Sequence, residues 1–183
     1  GIGSTTLNDG LTYSNVYGTR VQDDQISLNV CDVESVLAVY QSSSTSDPSL
    51  PKLNLTNTSS NILNSVIGER IIGNTSNSVA ILTNNKITNQ IEIVYINENK
   101  FIVGEIITFE ESQITASVYS TEVGDVDIKK SFVFDNGQRS EFLDFSRIIR
   151  NNDASAPTKK LKIIYNYYTI DSNDNGDFVG ATS

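Results

Sequence analysis

The sequence predicts a mainly β fold: a short-stranded β-sandwich or barrel-like module, or two such modules, with one short helix near residues 140–150. Strand-like apolar runs recur about every 8–12 residues between polar turns, which is typical of sandwiches and barrels rather than of βα units. An internal repeat within residues 66–118 also predicts a pair of related hairpins. A single hairpin is marginal in water, so we expect the two to pack together.

Three regions are predicted along the chain, although a single domain also fits the sequence. Residues 1–24 are small, polar and punctuated by glycine, which predicts an N-terminal arm or a linker from a preceding module. Residues 25–124 predict a β module with two related hairpins, and residues 125–183 predict a second β unit with a DNGQR turn. A chain of 183 residues is long enough for one domain or two small ones.

The first part of the central region predicts two strands and a loop. Ile26, Leu28 and Val30 alternate with polar residues, as in a half-buried strand. Residues 35–40 are rich in β-branched side chains and predict the second strand, although apolar residues from Val33 to Tyr40 also fit helical spacing after an Asp32 cap. Residues 41–52 then predict a projecting loop, because Pro48 and Pro51 cannot donate backbone hydrogen bonds.

The internal repeat consists of two Gly-Glu turns, each followed by a short strand, a Ser-containing turn and another strand. The first copy opens with Ile67-Gly68-Glu69-Arg70-Ile71-Ile72, and the second opens with Val103-Gly104-Glu105-Ile106-Ile107. The glycine in each copy supplies a backbone angle that a side chain opposes. Between the copies, apolar Ile91, Ile93 and Tyr95 recur at every second position, so a further strand is predicted there.

Residues 131–168 predict a strand, a turn, a strapping segment and a second strand. Asp135-Asn136-Gly137 marks the turn, with a left-handed glycine. The segment after this turn predicts a helix that is capped by Ser140 and buries a stripe of Phe142, Phe145 and Ile149. The alternative is one helical turn followed by a strand at Arg147–Arg150. Residues 160–170 are apolar on both faces, which predicts a central strand.

Composition excludes several classes of function. The net charge of −9 argues against nucleic-acid binding, because that affinity comes largely from Lys and Arg on phosphates. Without histidine, neither a Ser-His-Asp or Cys-His arrangement nor a His-ligated metal can form. The single Cys31 excludes an internal disulfide and is expected to be a small buried residue. No apolar run predicts membrane insertion. The lack of methionine suggests part of a longer protein.

Few residues form a pattern that points to chemistry, and no catalytic, cofactor-binding or metal-binding residue is predicted. Residues 171–177 match the first half of an EF-hand calcium loop, but Thr182 stands where the closing carboxylate belongs, so a polar turn is favoured. Three carboxylate pairs and one basic cluster are interpreted as surface charge and local ion pairs. They are Glu110-Glu111, Asp23-Asp24, Asp125 with Asp127, and Arg147, Arg150, Lys159, Lys160 and Lys162.

A series of motifs occupies the C-terminal part of the chain, in residues 134–139, 142–147, 156–158, 161–168 and 176–178. This series resembles a module of large virion structural proteins of T-even-like tailed phages, especially marine cyanophages. In those proteins an aromatic strand ends in a D-x-G-Q-R turn, an F-Y-D-Y-S-R-like segment and a second aromatic strand follow, and a G-D-F closes the repeat. Leu143 departs from the pattern, since a tyrosine is usual there.

This resemblance implies an architectural, non-enzymatic part of a phage tail, baseplate or tail fibre, located in the virion. Its expected partners are other phage tail proteins or copies of itself, and it is expected to be an oligomer in the virion. The alternative is a receptor-binding module that recognises a host surface glycan or protein, with the loops Ser42–Leu50 and Asn151–Thr158 as its reading heads. A polysaccharide hydrolase, the third class, requires a cleft with two converging carboxylates.

Overall fold

The computed structural model describes residues 1–7, 21–139 and 144–168 and confirms a mainly β protein. The described residues form two compact units, one built from residues 1–49 and 125–168 and the other from residues 50–124. The strands are β1 Ile2–Leu7, β2 Gln25–Ser27, β3 Val33–Gln41, β4 Lys52–Thr56, β5 Arg70–Gly73, β6 Val79–Ile87, β7 Gln90–Tyr95, β8 Ile106–Phe109, β9 Thr115–Glu122, β10 Val126–Asp127, β11 Phe132–Asp135, β12 Arg147–Arg150 and β13 Leu161–Tyr167. Single 3-10 turns lie at Ile62–Asn64 and Lys129–Ser131.

The first unit contains two antiparallel sheets, in the strand orders β1-β13-β3-β10 and β11-β12-β2. Strand β13 lies between β1 and β3, and the neighbouring side chains Ile163 and Ile164 point to opposite faces and are both buried. The prediction of a central strand at this position is therefore confirmed. The core of the unit includes Val21, Ile26, Leu28, Val33, Val36, Val39, Ile148, Leu161, Ile163 and Tyr165.

The division predicted from the sequence differs from the observed one in two ways. Residues 2–7 are not an arm, because they pair along their whole length with β13. Strands β2 and β3 do not belong with the rest of residues 25–124, since β2 pairs with β12 and β3 pairs with β13. The first unit is thus assembled from both ends of the described chain, and the second unit is a continuous insertion that ends at residue 124.

The described part of residues 140–150 does not contain the predicted short helix. Residues 144–146 are irregular, and Arg147–Arg150 forms β12 between β11 and β2, as in the alternative. Phe145 is 47% exposed, so it is not part of a buried stripe. Residues 140–143, which include Ser140 and Phe142, lie outside the described residues. Pairing with two neighbouring strands outweighs the helical spacing of a segment this short.

The second unit is a closed six-stranded barrel with the strand order β4-β7-β6-β5-β8-β9, and β9 pairs back to β4. Alternate residues of each strand point inward, as the burial of Ile71, Leu82, Ile93 and Ile107 shows. Closure leaves no free sheet edge in the barrel, so every strand has two hydrogen-bonded neighbours. This part of the chain forms its core without residues from the first unit.

Much of the barrel is a structural duplication in which residues 66–83 recur 36 residues later as residues 102–119, so that Gly68 corresponds to Gly104. The two glycines have φ values of 95° and 92°, which confirms the left-handed turns predicted in both copies. The N–H of Gly68 donates to the carbonyl of Leu82 at 2.8 Å, and the N–H of Gly104 donates to that of Val118 at the same distance. The two hairpins therefore have equivalent backbone hydrogen bonds as well as a similar sequence pattern.

Candidate functional site

The most unusual chemical feature of the barrel is a pair of buried glutamates, Glu69 and Glu105, that are 4% and 5% exposed. Each follows the left-handed glycine of its own copy and extends into the Ser-containing turn of the other copy. Buried carboxylates are costly unless they are paired or hydrogen-bonded, so their partners decide their role.

Both oxygens of Glu69 accept hydrogen bonds. Its Oε1 accepts from the backbone N–H groups of Glu111 and Ser112 at 3.0 and 2.9 Å, and from the Ser112 hydroxyl at 3.2 Å. Its Oε2 accepts from the N–H of Val66 at 2.6 Å, three residues earlier in its own turn. One carboxylate thus joins the turn of the first copy to the turn of the second.

Glu105 repeats this arrangement in the opposite direction. Its Oε1 accepts from the N–H groups of Thr75 and Ser76, both at 3.0 Å, and its Oε2 accepts from the N–H of Ile102 at 2.6 Å. Burial raises the pKa of Glu105, but the hydrogen bonds from Ser76, Ile102 and Thr75 together lower that pKa more, so it lies below its ordinary value. The carboxylate is therefore held as an anion by the turns that it joins.

A second polar cluster surrounds the predicted turn after β11. Gly137 has φ 79°, and its N–H donates to Asp135 Oδ1 at 2.9 Å. Arg139 Nη2 lies 2.9 Å from Asp135 Oδ2, and Arg147 Nη2 lies 2.5 Å from Asp144 Oδ2. The hydrogen bond from Arg139 and then that from Gly137 lower the pKa of Asp135 to about 2. These residues form the turn that the sequence predicts at Asp135-Asn136-Gly137, together with a set of local ion pairs.

The carboxylate pairs named from the sequence also contact nearby groups of the framework. Asp24 pairs with Arg150 at 2.7 Å. Asp125 Oδ2 accepts from the N–H of Ser49 at 2.7 Å, and Asp127 Oδ1 accepts from those of Val39 and Lys129, both at 2.9 Å. The side chains of Glu110 and Glu111 are exposed in the turn after β8.

The predicted basic cluster is divided among separate acidic partners. Arg147 contacts Asp144, Arg150 contacts Asp24, and the ammonium of Lys160 lies 3.5 Å from Asp47. The sequence interpretation favoured local ion pairs, and three of the five members of the cluster form them.

The remaining sequence candidates do not form a site in the described residues. The calcium-loop match at residues 171–177 lies outside them. Within the described ranges, no group of three or more His, Cys, Asp or Glu side chains could hold a metal ion. Cys31 is half-buried rather than fully buried. The described helical turns include none long and apolar enough to cross a membrane.

The two loops proposed as reading heads lie side by side at one end of the sheet that contains β3 and β13. The N–H of Ser42 donates to the carbonyl of Lys160 at 2.9 Å, and the N–H of Thr158 donates to Gln41 Oε1 at 3.2 Å. The Lys160–Asp47 ion pair joins the same two segments. Residues 43–47 are exposed, as are most side chains of residues 151–158.

Sequence reasoning missed the role of Glu69 and Glu105, although it singled out the turns that carry them. The signal was present, because a glutamate follows the glycine in both copies. A charged residue repeated beside a glycine that the turn requires indicates a shared structural partner. That partner, the Ser-containing turn of the other copy, becomes visible only when the barrel closes.

No family model, curated protein or solved structure matches this chain in the comparisons with known proteins.

Proposed function

We propose that the chain is an architectural component of a phage tail, baseplate or tail fibre that acts through protein–protein contacts. The observation that carries the proposal is the reciprocal bracing of the barrel by Glu69 and Glu105. Its two most buried carboxylates are occupied by backbone N–H groups of the fold itself. These hydrogen bonds stiffen the two turns that each carboxylate joins, and an architectural module requires a rigid framework.

The charged residues of the virion-like motif support the same proposal. Asp135, Arg139, Asp144 and Arg147 are the motif residues best suited to acid–base or anion-binding chemistry, and they contact each other around the Gly137 turn. Their pairing stabilises a turn between two strands. The motif that resembles tailed-phage structural proteins thus encodes a piece of framework in this chain.

Mass spectrometry of particles from the phage that encodes the chain tests this proposal. We expect peptides from residues 50–124 to copurify with tail proteins at constant stoichiometry through a density gradient. Immunogold labelling with antibodies against the chain should mark the tail, and antibody preabsorbed with the chain is the control. Purified, infectious particles without these peptides would refute the architectural function.

The second candidate is a receptor-binding module, and the adjacency of the two exposed loops favours it. Two neighbouring loops at one end of a rigid sheet are a common arrangement for recognition. The test is binding of fluorescent chain to host cells, with residues 43–47 replaced by a Gly-Ser sequence. Loss of binding in this variant, but not in a Glu98→Gln control within an exposed barrel turn, supports recognition. Equal binding of both variants contradicts it.

A further inference from the structure

The two halves of the barrel differ sharply at one part of their surface. In the second half, Ile102, Val103, Ile106 and Tyr119 are 50%, 59%, 50% and 70% exposed. The same positions in the first half are Val66, Ile67, Arg70 and Thr83, of which only Arg70 is exposed. We call the four residues of the second half the apolar patch.

The register of the barrel places the members of the apolar patch next to each other. Ile106 pairs directly with Ser117, two residues before Tyr119 on the outer face of β9. The N–H of Gly104 donates to the carbonyl of Val118 at 2.8 Å, so the turn that carries Ile102 and Val103 lies beside the same stretch of β9. Strand β8, its preceding turn and β9 therefore present these side chains together.

Tyr119 occupies a β-bulge that the fold requires without requiring a tyrosine. The pairing of β4 with β9 passes from Ser120 to Val118 and leaves Tyr119 unpaired. The pairing of β6 with β7 skips Thr83 in the same manner. Bulges redirect side chains and are common beside functional sites. Because both halves keep the bulge and only the second exposes a large aromatic residue there, barrel stability does not account for Tyr119.

The size and charge of the apolar patch indicate what covers it. Four large side chains exposed by half or more present roughly 400 Å², which is the scale of the largest, often functional patch on a monomer. A standard interface takes about 800 Å² from each partner and has an apolar centre rich in aromatic residues and poor in charge. The apolar patch has the size of such a centre.

We propose that the apolar patch binds the same patch of a second copy of this chain, forming a two-fold symmetric contact. The chain carries a net charge of −9, so two copies repel each other over most of their surfaces. The apolar patch itself contains no charged side chain, so its own four residues add no like-charge repulsion to such a contact. Isologous two-fold dimers are also the commonest oligomers. The inference rests on the proposed architectural function and specifies one of its contacts.

Sedimentation velocity of the 183-residue chain from about 1 to about 500 µM tests the contact. The informative variants are Ile106→Arg and Tyr119→Thr, because they place in the second half the residues that the first half carries at the same positions. Ile87→Arg is the matched control, since Ile87 is 55% exposed and lies outside the apolar patch. Thermal unfolding by circular dichroism checks that each variant is folded.

We expect the wild type and the control to form dimers and each patch variant to associate at least about tenfold more weakly. Added salt should strengthen the wild-type dimer by screening the repulsion between acidic copies. A wild-type chain that stays monomeric over the whole range overturns the contact, as does a dimer that both folded patch variants retain. Particle composition is measured separately, so a monomeric chain found in the tail would overturn this contact and leave the architectural function intact.

Discussion

Replacing Glu105 by glutamine should loosen the barrel while the first unit stays unchanged. The amide has one acceptor oxygen where the carboxylate has two, so it cannot accept from Thr75, Ser76 and Ile102 with the same geometry. If its oxygen keeps the first two donors, its NH₂ group faces the N–H of Ile102. A buried donor without an acceptor costs about 1–3 kcal/mol, and the remaining bonds lose their charge assistance. We therefore expect the barrel to lose about 2–4 kcal/mol of stability.

Hydrogen exchange followed by mass spectrometry measures this loss separately in each unit. A change of 2 kcal/mol lowers the protection of amides that exchange through barrel opening about 30-fold. The decrease should appear in peptides from residues 50–124, above all around Thr75 and Ser76, and should be absent from peptides of residues 125–139. Glu98→Gln is the control, because Glu98 is an exposed glutamate of the same barrel.

The pH dependence gives a second measurement of the same group. The pKa of Glu105 is lowered in the folded barrel, so its contribution is present above the ordinary pKa of 4.5 and is lost as the pH falls through the depressed value. The acid sensitivity of the wild-type barrel should therefore decrease in Glu105→Gln. Unchanged protection at residues 74–78 at neutral pH would falsify the bracing role.

Three further predictions, made with four substitutions, test other parts of the structure, each by hydrogen exchange in peptides of the affected unit. Gly104→Ala should cost about 1–2 kcal/mol of stability, because only the left-handed backbone opposes the new side chain. Gly137→Ala should cost about 3 kcal/mol, since its Cβ would also lie 2.7 Å from the carbonyl oxygen of residue 145. Equal losses in the two variants would contradict this reasoning. Arg139 and the turn lower the pKa of Asp135 from 3.8 to about 2, so the stability that this carboxylate gives the first unit is lost as the pH falls from about 4 to about 2. Asp135→Asn should remove that pH-dependent stability. An unchanged acid profile would count against the ion pair. Leu82→Ala should cost the barrel about 2–5 kcal/mol, since Leu82 is fully buried, and a smaller loss would indicate that the core collapses around the cavity.

Local signals were sufficient where the residues themselves determine the backbone. The sequence predicts backbone angles that a side chain opposes at Gly68 and Gly104 and a left-handed residue at Gly137, and all three have positive φ values. The two apolar faces of β13 predicted its central position, because a strand apolar on both sides must be covered on both sides. These features depend on a few neighbouring residues, which explains why the sequence reveals them.

Pairing between distant segments could not be predicted in the same way. Strand β3 pairs with β13, more than 110 residues later, while the barrel inserted between them closes on itself. The alternating pattern of Ile26 and Leu28 fits pairing with a strand of either unit, so nothing local assigns these residues to the first unit. The segment Arg147–Arg150 is a similar case, since its spacing fits a helix and its pairing with β2 and β11 makes it a strand.

The duplication separates what the fold requires from what it leaves free. Several positions at which the two halves agree, such as Glu69 with Glu105 and Ala80 with Ala116, are buried and serve the barrel in the same way twice. At exposed positions where they differ, both halves keep the same strand pairing with different residues, so strand pairing alone does not explain the choice. Arg70 against Ile106 is such a difference, on the outer face of paired strands. Half of Ile106 stays exposed after folding, beside three other exposed apolar side chains, and a partner that covered it would bury that remaining surface. The internal comparison thus directs the search for a partner contact to the second half of the barrel, while the two glutamates that both halves share account for the bracing of its turns.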